Sequence, residues 1–386
     1  MPICRTNFYK FEKISLKESM KKALVHDWFY TNGGAEKVVH SIGNIWNDLE
    51  YYSLIDFLKK DDRDFILRGK ASNTSYIQNF PTAKKNHRKF LQFFPKAIES
   101  FNLNDYDLII SSSSSIAKGV LTNQNQLHIC YCHSPMRYAW NLYHEYLEDK
   151  NLTKGIKGWY AKTILFKLRT WDFISSNRVD YFVANSEYIA KRIKKIYNRD
   201  ATVIYPPVDV NSFKLEENKE DFYVAASRLV SYKKISMIVE AFNKMPDKKL
   251  KVIGDGPEMG KILKIANKNI EILGRKSQKD MIKTLQKAKA LVFAADEDFG
   301  ILPVEAQSCG TPVIAFNKGG LKETVIENVT GVFFEKQEIS YLVEAVNRFE
   351  SIKFDAKIIR KNSERFSKER FEKEFKEFVE KKIKEF

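Results

Sequence analysis

A chain of 386 residues, 44% hydrophobic and 13% aromatic, suits two domains of ordinary size and excludes a disordered polymer. Its formal net charge of +16 points to an anionic partner, whether phosphorylated substrate, acidic membrane or nucleic acid, or else to a generally lysine-rich composition. Four cysteines (Cys4, Cys130, Cys132, Cys309) make no disulfide framework at this length and fit a reducing compartment, and no stretch approaches the roughly 18 apolar residues of a spanning helix.

The first segment, MPICRTNFYKFEKISLKES, is polar, lacks an apolar signal-peptide region and reads as an extension over 1–19 without chemistry of its own. From Met20 the text alternates short apolar runs with helical stretches, the rhythm of parallel strands and crossover helices. ALVH (23–26) reads as a strand, and after Gly33-Gly34 come Val38, Val39, Ile42 and Ile45 at helical spacing. DLIISSSS (107–114), QLHICYCH (126–133) and DYFVANS (180–186) are further buried strands ending in small polar residues, and EYIAKRIKKIY after the last is a helix. TVIYPPVDV (202–210) runs into prolines and the charged NSFKLEENKED, which marks the best domain boundary.

The rhythm then restarts. FYVAASRL (222–229), KLKVIGDGPE (249–258), IEILG (270–274), ALVFAA (290–295) and PVIAF (312–316) read as strands, and ISMIVEAFNKM (235–245) as an amphipathic helix. In the tail, Phe371, Phe375, Phe378, Val379 and Ile383 recur at three- and four-residue steps on a charged helix. The organisation read from this is an extension (1–19), a first Rossmann-like domain (20–208), a second (209–365) and a C-terminal helix (366–386). The fold class is α/β, with two Rossmann-like domains facing a central cleft at the carboxyl ends of their strands.

The polar clusters fall at those ends. In ADEDFGILPVEAQSCG, Glu297 sits in a loop after a strand and Glu305 about one turn into the following helix. The first N–H groups of that helix, around Phe299, Gly300 and Ile301, have no intrahelical partner and favour an anion or sugar hydroxyls. Arg228 and Lys233, in SRLVSYKK, follow another strand at a spacing that can converge on a diphosphate, a weak signal in a lysine-rich chain, with Lys234 equally placed on spacing alone. Gly33-Gly34 and the Gly254-Asp255-Gly256 turn permit close backbone approach to phosphate, or serve as plain turns. His133 ends a buried strand at the cleft. His128, Cys130, Cys132 and His133 lie too close together on one extended strand to close a tetrahedron around zinc, so no metal site is read there. Two basic aromatic stretches, 83–100 and 155–173, suit either an anionic membrane or an ordinary core-facing helix with a cationic outer face, with the membrane reading ahead for the first. Nothing resembles a groove-reading or RNP-type motif, so nucleic acid is not expected as a partner.

Several segments match one family in order: HDWFYTNGGAEKVV, DLIISSSSSIAKGV, YCHSPMRYAW, FVANSEYIAKRI, VIYPPVD, SRLVSYKK, GDGPE and EDFGILPVEAQSCGTPVIAFNKGG. Over about 22 to 335 the sequence resembles the family-4 retaining glycosyltransferases of GT-B fold, particularly bacterial mannosyltransferase-like members that build O-antigens and capsules. The resemblance implies that Glu297 contacts the donor sugar and Glu305 the nucleotide ribose. It implies that Arg228 and Lys233 hold the diphosphate, that Gly33-Gly34 close over it, and that His133 touches the transferred sugar near the reacting carbon. Gly254 and the Phe299, Gly300, Ile301, Leu302 turn join the donor site on the same ground. The implied reaction keeps the anomeric configuration by front-face displacement, without metal or cofactor. GDP-mannose is the favoured donor with UDP-sugars as the alternative, and the acceptor is a lipid-linked oligosaccharide or polysaccharide. The implied place of work is the cytoplasm, peripheral on the inner face of an anionic membrane. A sugar-nucleotide epimerase or a phosphorylase is the rival within the same fold.

Overall fold

Runs of Val, Ile, Leu and Ala become strands here because a parallel sheet covered by helices buries both of its faces. The computed structural model describes residues 20–386, and the extension read over 1–19 lies outside the described residues. The first sheet comprises β1 (Lys22–His26), β2 (Glu50–Ser53), β3 (Ser72–Thr74), β4 (Leu108–Ser113), β5 (Leu127–Cys132), β6 (Tyr181–Ala184) and β7 (Ala201–Val203), in the order β3-β2-β1-β4-β5-β6-β7. The second comprises β8 (Tyr223–Ala226), β9 (Leu250–Ile253), β10 (Ile270–Gly274), β11 (Ala290–Phe293), β12 (Val313–Phe316) and β13 (Gly331–Phe334), in the order β10-β9-β8-β11-β12-β13. Every pairing is parallel. Each sheet therefore reverses its strand order once, between β1 and β4 and between β8 and β11, and ligand crevices open at such points.

Three strands were absent from the sequence reading. β3 is the polar triplet Ser-Asn-Thr at an edge, β2 is half exposed, and β13 has only the three apolar residues Val332–Phe334 after a glycine that packs under Val313. The basic stretch 83–100 is not one helix. It breaks into Ala83–Asn86, a 3-10 segment His87–Phe93 and Phe94–Glu99, where Pro95 occupies the first turn. By contrast Gly155–Ser175 is a single helix of 21 residues.

The chain crosses between the domains twice, side by side. Val208 exchanges backbone hydrogen bonds with the Phe366–Lys368 crossing at 2.9 and 3.0 Å. The terminal helix Lys368–Glu385 then lies on the first domain, where Phe371, Phe375 and Val379 are fully buried in the core that holds Leu24, Val38 and Leu108. Each such side chain contributes on the order of 1.5–3 kcal/mol by burial, so the tail is an integral part of the first domain's core. The Gly155–Ser175 helix is anchored differently. Asp172, wholly buried, pairs with the buried Lys118 and accepts from Trp140 Nε1 at 2.7 Å and the Tyr197 hydroxyl at 2.8 Å.

Candidate active site

The first wall of the cleft is built where β1 and β4 part. Asp27 follows β1, and its buried carboxylate accepts the backbone N–H groups of Ser114 at 2.7 Å and of Ile116 and Ala117 at 2.8 Å. The serine run after β4 is thereby tied to the end of β1. Glu36, in the first turn of the helix Gly34–Ile45, accepts the Gly33 N–H at 3.0 Å and lies 3.8 Å from His26 Nε2. His26 Nδ1 meets the Ser112 carbonyl at 3.0 Å, and the Ser112 hydroxyl meets His133 Nε2 at 2.8 Å. A buried polar chain thus runs from the glycine loop to His133, and such chains hold their members in place. Burial pushes the His133 imidazole down to about 3, helped by the neighbouring His26, so His133 is neutral at physiological pH. Burial also opposes charge on His26, but the Glu36 carboxylate outweighs it and raises that pKa.

The second wall comes from the loops after β8 and β11. Arg228 is exposed at the rim, and Lys233 closes a 3-10 turn, Ser231–Lys233. The structure separates Lys233 from Lys234: Lys233 forms an ion pair with Glu297 in the cleft, whereas Lys234 lines a neighbouring cavity. The Glu297 loop rests on Gly319-Gly320, with the Gly320 N–H donating to the Glu297 carbonyl at 2.8 Å. A Cβ on Gly319 would stand 2.2 Å from that carbonyl and one on Gly320 2.4 Å from Phe299 Cα, which is why this turn requires two glycines. Gly300, at φ 90°, then opens the helix Ile301–Ser308 toward the cleft.

Between the walls lies a cleft of about 660 Å³. Gly33, Gly34, His133, Arg228, Lys233, Glu297, Phe299, Gly300, Ile301 and Leu302 line it, joined by Asn32, Asn185 and Asp298. The two walls nearly touch at Gly34, where a Cβ would stand 2.7 Å from Ile301 Cδ1. Two of the residues given to the donor site by the resemblance do not line the cleft. Glu305 turns instead to Lys37 of the first domain, 2.7 Å away. Gly254 packs under the end of β8, where a Cβ would stand 1.9 Å from the Ser227 carbonyl. The His128, Cys130, Cys132 string is core: His128 bonds Ser111 at 2.8 Å and burial lowers its pKa to about 4, while both cysteines are buried. Among the described residues no group of three His, Cys, Asp or Glu could hold a metal ion.

Sequence reasoning missed the residues that close the cleft. Asp298 receives Arg192 at 2.7 Å and Arg137 at 3.2 Å from the first domain, and its carbonyl accepts the Ser186 hydroxyl at 2.6 Å. Glu323 caps the helix Glu187–Tyr197 across the same gap, accepting the N–H groups of Glu187 and Tyr188 at 2.8 and 2.9 Å. Residue order carries no sign of these partners; only Asp298, next to Glu297, stood near a position already read as part of the cleft. Asp298→Ala leaves two arginines facing each other, and each charged hydrogen bond lost is worth about 1.5–3 kcal/mol. The expected result is a wider cleft, read by small-angle scattering as an increased radius of gyration, whereas an unchanged scattering profile would remove Asp298 from the domain clamp.

Residues 32–212 match the model of Glycosyltransferase Family 4, and residues 208–368 that of Glycosyl transferases group 1. The chain is 31% identical over 222 residues to an uncharacterized glycosyltransferase of Methanocaldococcus jannaschii, covering 56% of this chain and 60% of the relative. It is 30% identical over 197 residues to the GDP-mannose-dependent monoacylated alpha-(1-6)-phosphatidylinositol monomannoside mannosyltransferase of Corynebacterium glutamicum, covering 43% of this chain and 51% of the relative. The chain thus spans about half the length of the curated relatives it matches. Among solved structures, Anabaena HepE in complex with UDP and glucose superimposes with a TM-score of 0.65 at 19% identity over 94% of this chain and 99% of that one, a likeness of fold. With the two family models laid end to end, one on each parallel α/β domain, the chain has GT-B architecture.

Proposed function

We propose that this chain transfers a hexose from a nucleotide diphosphate sugar to a lipid-linked oligosaccharide or polysaccharide acceptor, with retention of anomeric configuration and without metal. The observation that carries this reading is the convergence of Arg228, Lys233, Glu297, His133 and the Gly33-Gly34 loop on one cleft between two Rossmann-like domains. Arg228 and Lys233 offset the charge that grows on the departing diphosphate. Glu297, which pairs with Lys233, accepts hydrogen bonds from hydroxyls of the donor sugar, and the lysine serves the phosphate beside it. The open N–H groups at the start of Ile301–Ser308 receive the anion, and Gly34 leaves room for it to pass. His133, neutral and held by Ser112, offers a hydrogen bond beside the reacting carbon without adding a charge there. Glu305 reaches the nucleotide ribose if its bond to Lys37 opens with the cleft, and Gly254 shapes the turn beneath the nucleotide.

GDP-mannose is the favoured donor, by the resemblance and by the name of the Corynebacterium relative, with UDP-sugars as the alternative. The place of work is the inner face of the cell membrane, in the building of surface glycan such as O-antigen, capsule or lipopolysaccharide. The test is thermal melting of the purified chain against GDP, UDP and dTDP and their sugars. A true ligand at 100 times its Kd stabilises by about 2.7 kcal/mol. GDP and GDP-mannose are expected to raise the melting temperature most. A shift with UDP-sugars alone reassigns the donor, and no shift with any of them removes the transferase reading. Proton NMR of the product then reads the anomer, and epimerised or phosphorolysed donor would point to the rival chemistry.

A further inference from the structure

The helix Gly155–Ser175 has two apolar faces, and the first domain covers one. Gly158, Leu165, Leu168, Asp172 and Ser175 are buried. On the opposite side, at three- and four-residue steps, run Ile156, Trp159, Thr163, Phe166, Thr170 and Phe173. Ile156 is 87% exposed, Trp159 68% and Phe166 62%, where a surface helix ordinarily carries charge. The threonines do not make this strip polar. Thr163 donates its hydroxyl to the Trp159 carbonyl at 3.0 Å and Thr170 to the Phe166 carbonyl at 3.1 Å, so each hydroxyl proton is taken up by the helix itself.

Around the strip the charge has one sign. Lys162 and Lys167 flank it, and no Asp or Glu occurs between residues 150 and 171. The neighbouring stretch 75–98 is equally free of acid and exposes Lys84, Lys85, Arg88 and Lys89. The Tyr160 hydroxyl bonds Gln92 and so holds the two segments together. Among the described residues none of these cations forms an ion pair, and an exposed apolar strip ringed by such cations is complementary to hydrocarbon bordered by phosphate. It is poorly complementary to a second copy of a chain with net charge +16. No helix among the described residues is long and apolar enough to cross a membrane, so this one would lie along the surface.

We infer that this face of Gly155–Ser175, with the basic 83–96 segment beside it, is a docking surface for an anionic lipid bilayer. This deepens the membrane part of the proposed function and names the element responsible. The helix begins a few residues after Asp149, whose carboxylate accepts the Ser231 hydroxyl at 3.0 Å across the mouth between the domains. Docking there sets that mouth close to the bilayer, within reach of a sugar carried on a lipid.

The experiment is co-sedimentation of the full chain with phosphatidylcholine vesicles, with and without phosphatidylglycerol at about a third of the lipid. The wild type is expected to bind the anionic vesicles at least about tenfold more tightly than the neutral ones. Trp159→Glu with Phe166→Glu is expected to lose that binding while keeping its melting temperature and its shift with donor nucleotide. Lys162→Gln with Lys167→Gln keeps the strip and is expected to lose most of the preference for anionic lipid. Equal binding to both vesicles, or wild-type binding by the Trp159/Phe166 variant, overturns the inference. So does a dimer in analytical ultracentrifugation that this variant dissolves, since a second copy would then cover the strip. The nucleotide shift is read separately, so failure of docking and failure of the transferase reading are distinguishable.

Discussion

Lys233→Ala is expected to slow sugar transfer by about 10²–10³-fold, the usual cost of removing one donor aimed at developing charge, with the melting temperature nearly unchanged. Lys233 stands at the end of a short turn after β8, partly buried in the cleft, and its only ion-pair partner among the described residues is Glu297. Neither side chain is buried in a core, so removing one costs little stability. In the proposed reaction, however, the ammonium is the less exposed of the two cations on the second wall, and a low-dielectric cleft makes that charge worth more than it would be in water. Glu297→Ala is expected to reduce the rate comparably, by losing the acceptor for donor hydroxyls. The two changes should not add: each also frees the other residue, so the double variant is expected to be little worse than either single one. Arg228→Ala is expected to follow in kind but by less, because that guanidinium is exposed to solvent at the rim. Initial rates at saturating donor, with melting curves alongside, check all of these. Near-normal rates in all three single variants would sink the site assignment.

Asp172→Ala is expected to destabilise the first domain by about 3–5 kcal/mol, the cost of stripping a buried charge of its partner. Asp172 and Lys118 are both almost fully excluded from water, and Trp140 and Tyr197 complete the carboxylate's hydrogen bonds. Loss of the carboxylate strands the Lys118 ammonium against the rings of Trp171 and Tyr197, 5.5 and 5.2 Å away. Replacing both partners, as Lys118→Met with Asp172→Leu, is expected to recover most of the loss, because two apolar side chains require no pairing. Chemical denaturation of the two variants beside the wild type separates these outcomes. If Asp172→Ala unfolds at the wild-type midpoint, the pair does not anchor the helix.

Much of the cleft was legible from residue order, and for one reason. In a parallel sheet every strand delivers its following loop to the same edge, so residues written after strands gather there whatever their distance in the chain. Residue order alone therefore gathers Gly33-Gly34, His133, Arg228, Lys233 and Glu297 at one edge. It also made the two-domain division readable, since the strand rhythm stops at the prolines after Ile204 and restarts at Phe222. The same rule put Gly254 at the cleft, where the structure packs it under the end of β8, and it was silent on short polar strands such as Ser72–Thr74, which have no apolar run.

By itself, then, the amino-acid sequence determined the α/β rhythm, the strand-end origin of the cleft residues and the acid-free basic segments, because these depend on local pattern. Tertiary structure alone decided which side chains meet. Asp27 reaches the serine loop across 87 to 90 residues and Asp298 reaches Arg137 across 161, separations over which no spacing rule operates. Glu305 faces Lys37 and not the cleft, and Lys233 is chosen over Lys234, because helix and turn orientation fix the direction of each side chain. The Gly155–Ser175 helix carries apolar residues around most of its circumference. Only the packing of one face against the first domain shows that the other, with Trp159 and Phe166, is left in water among lysines.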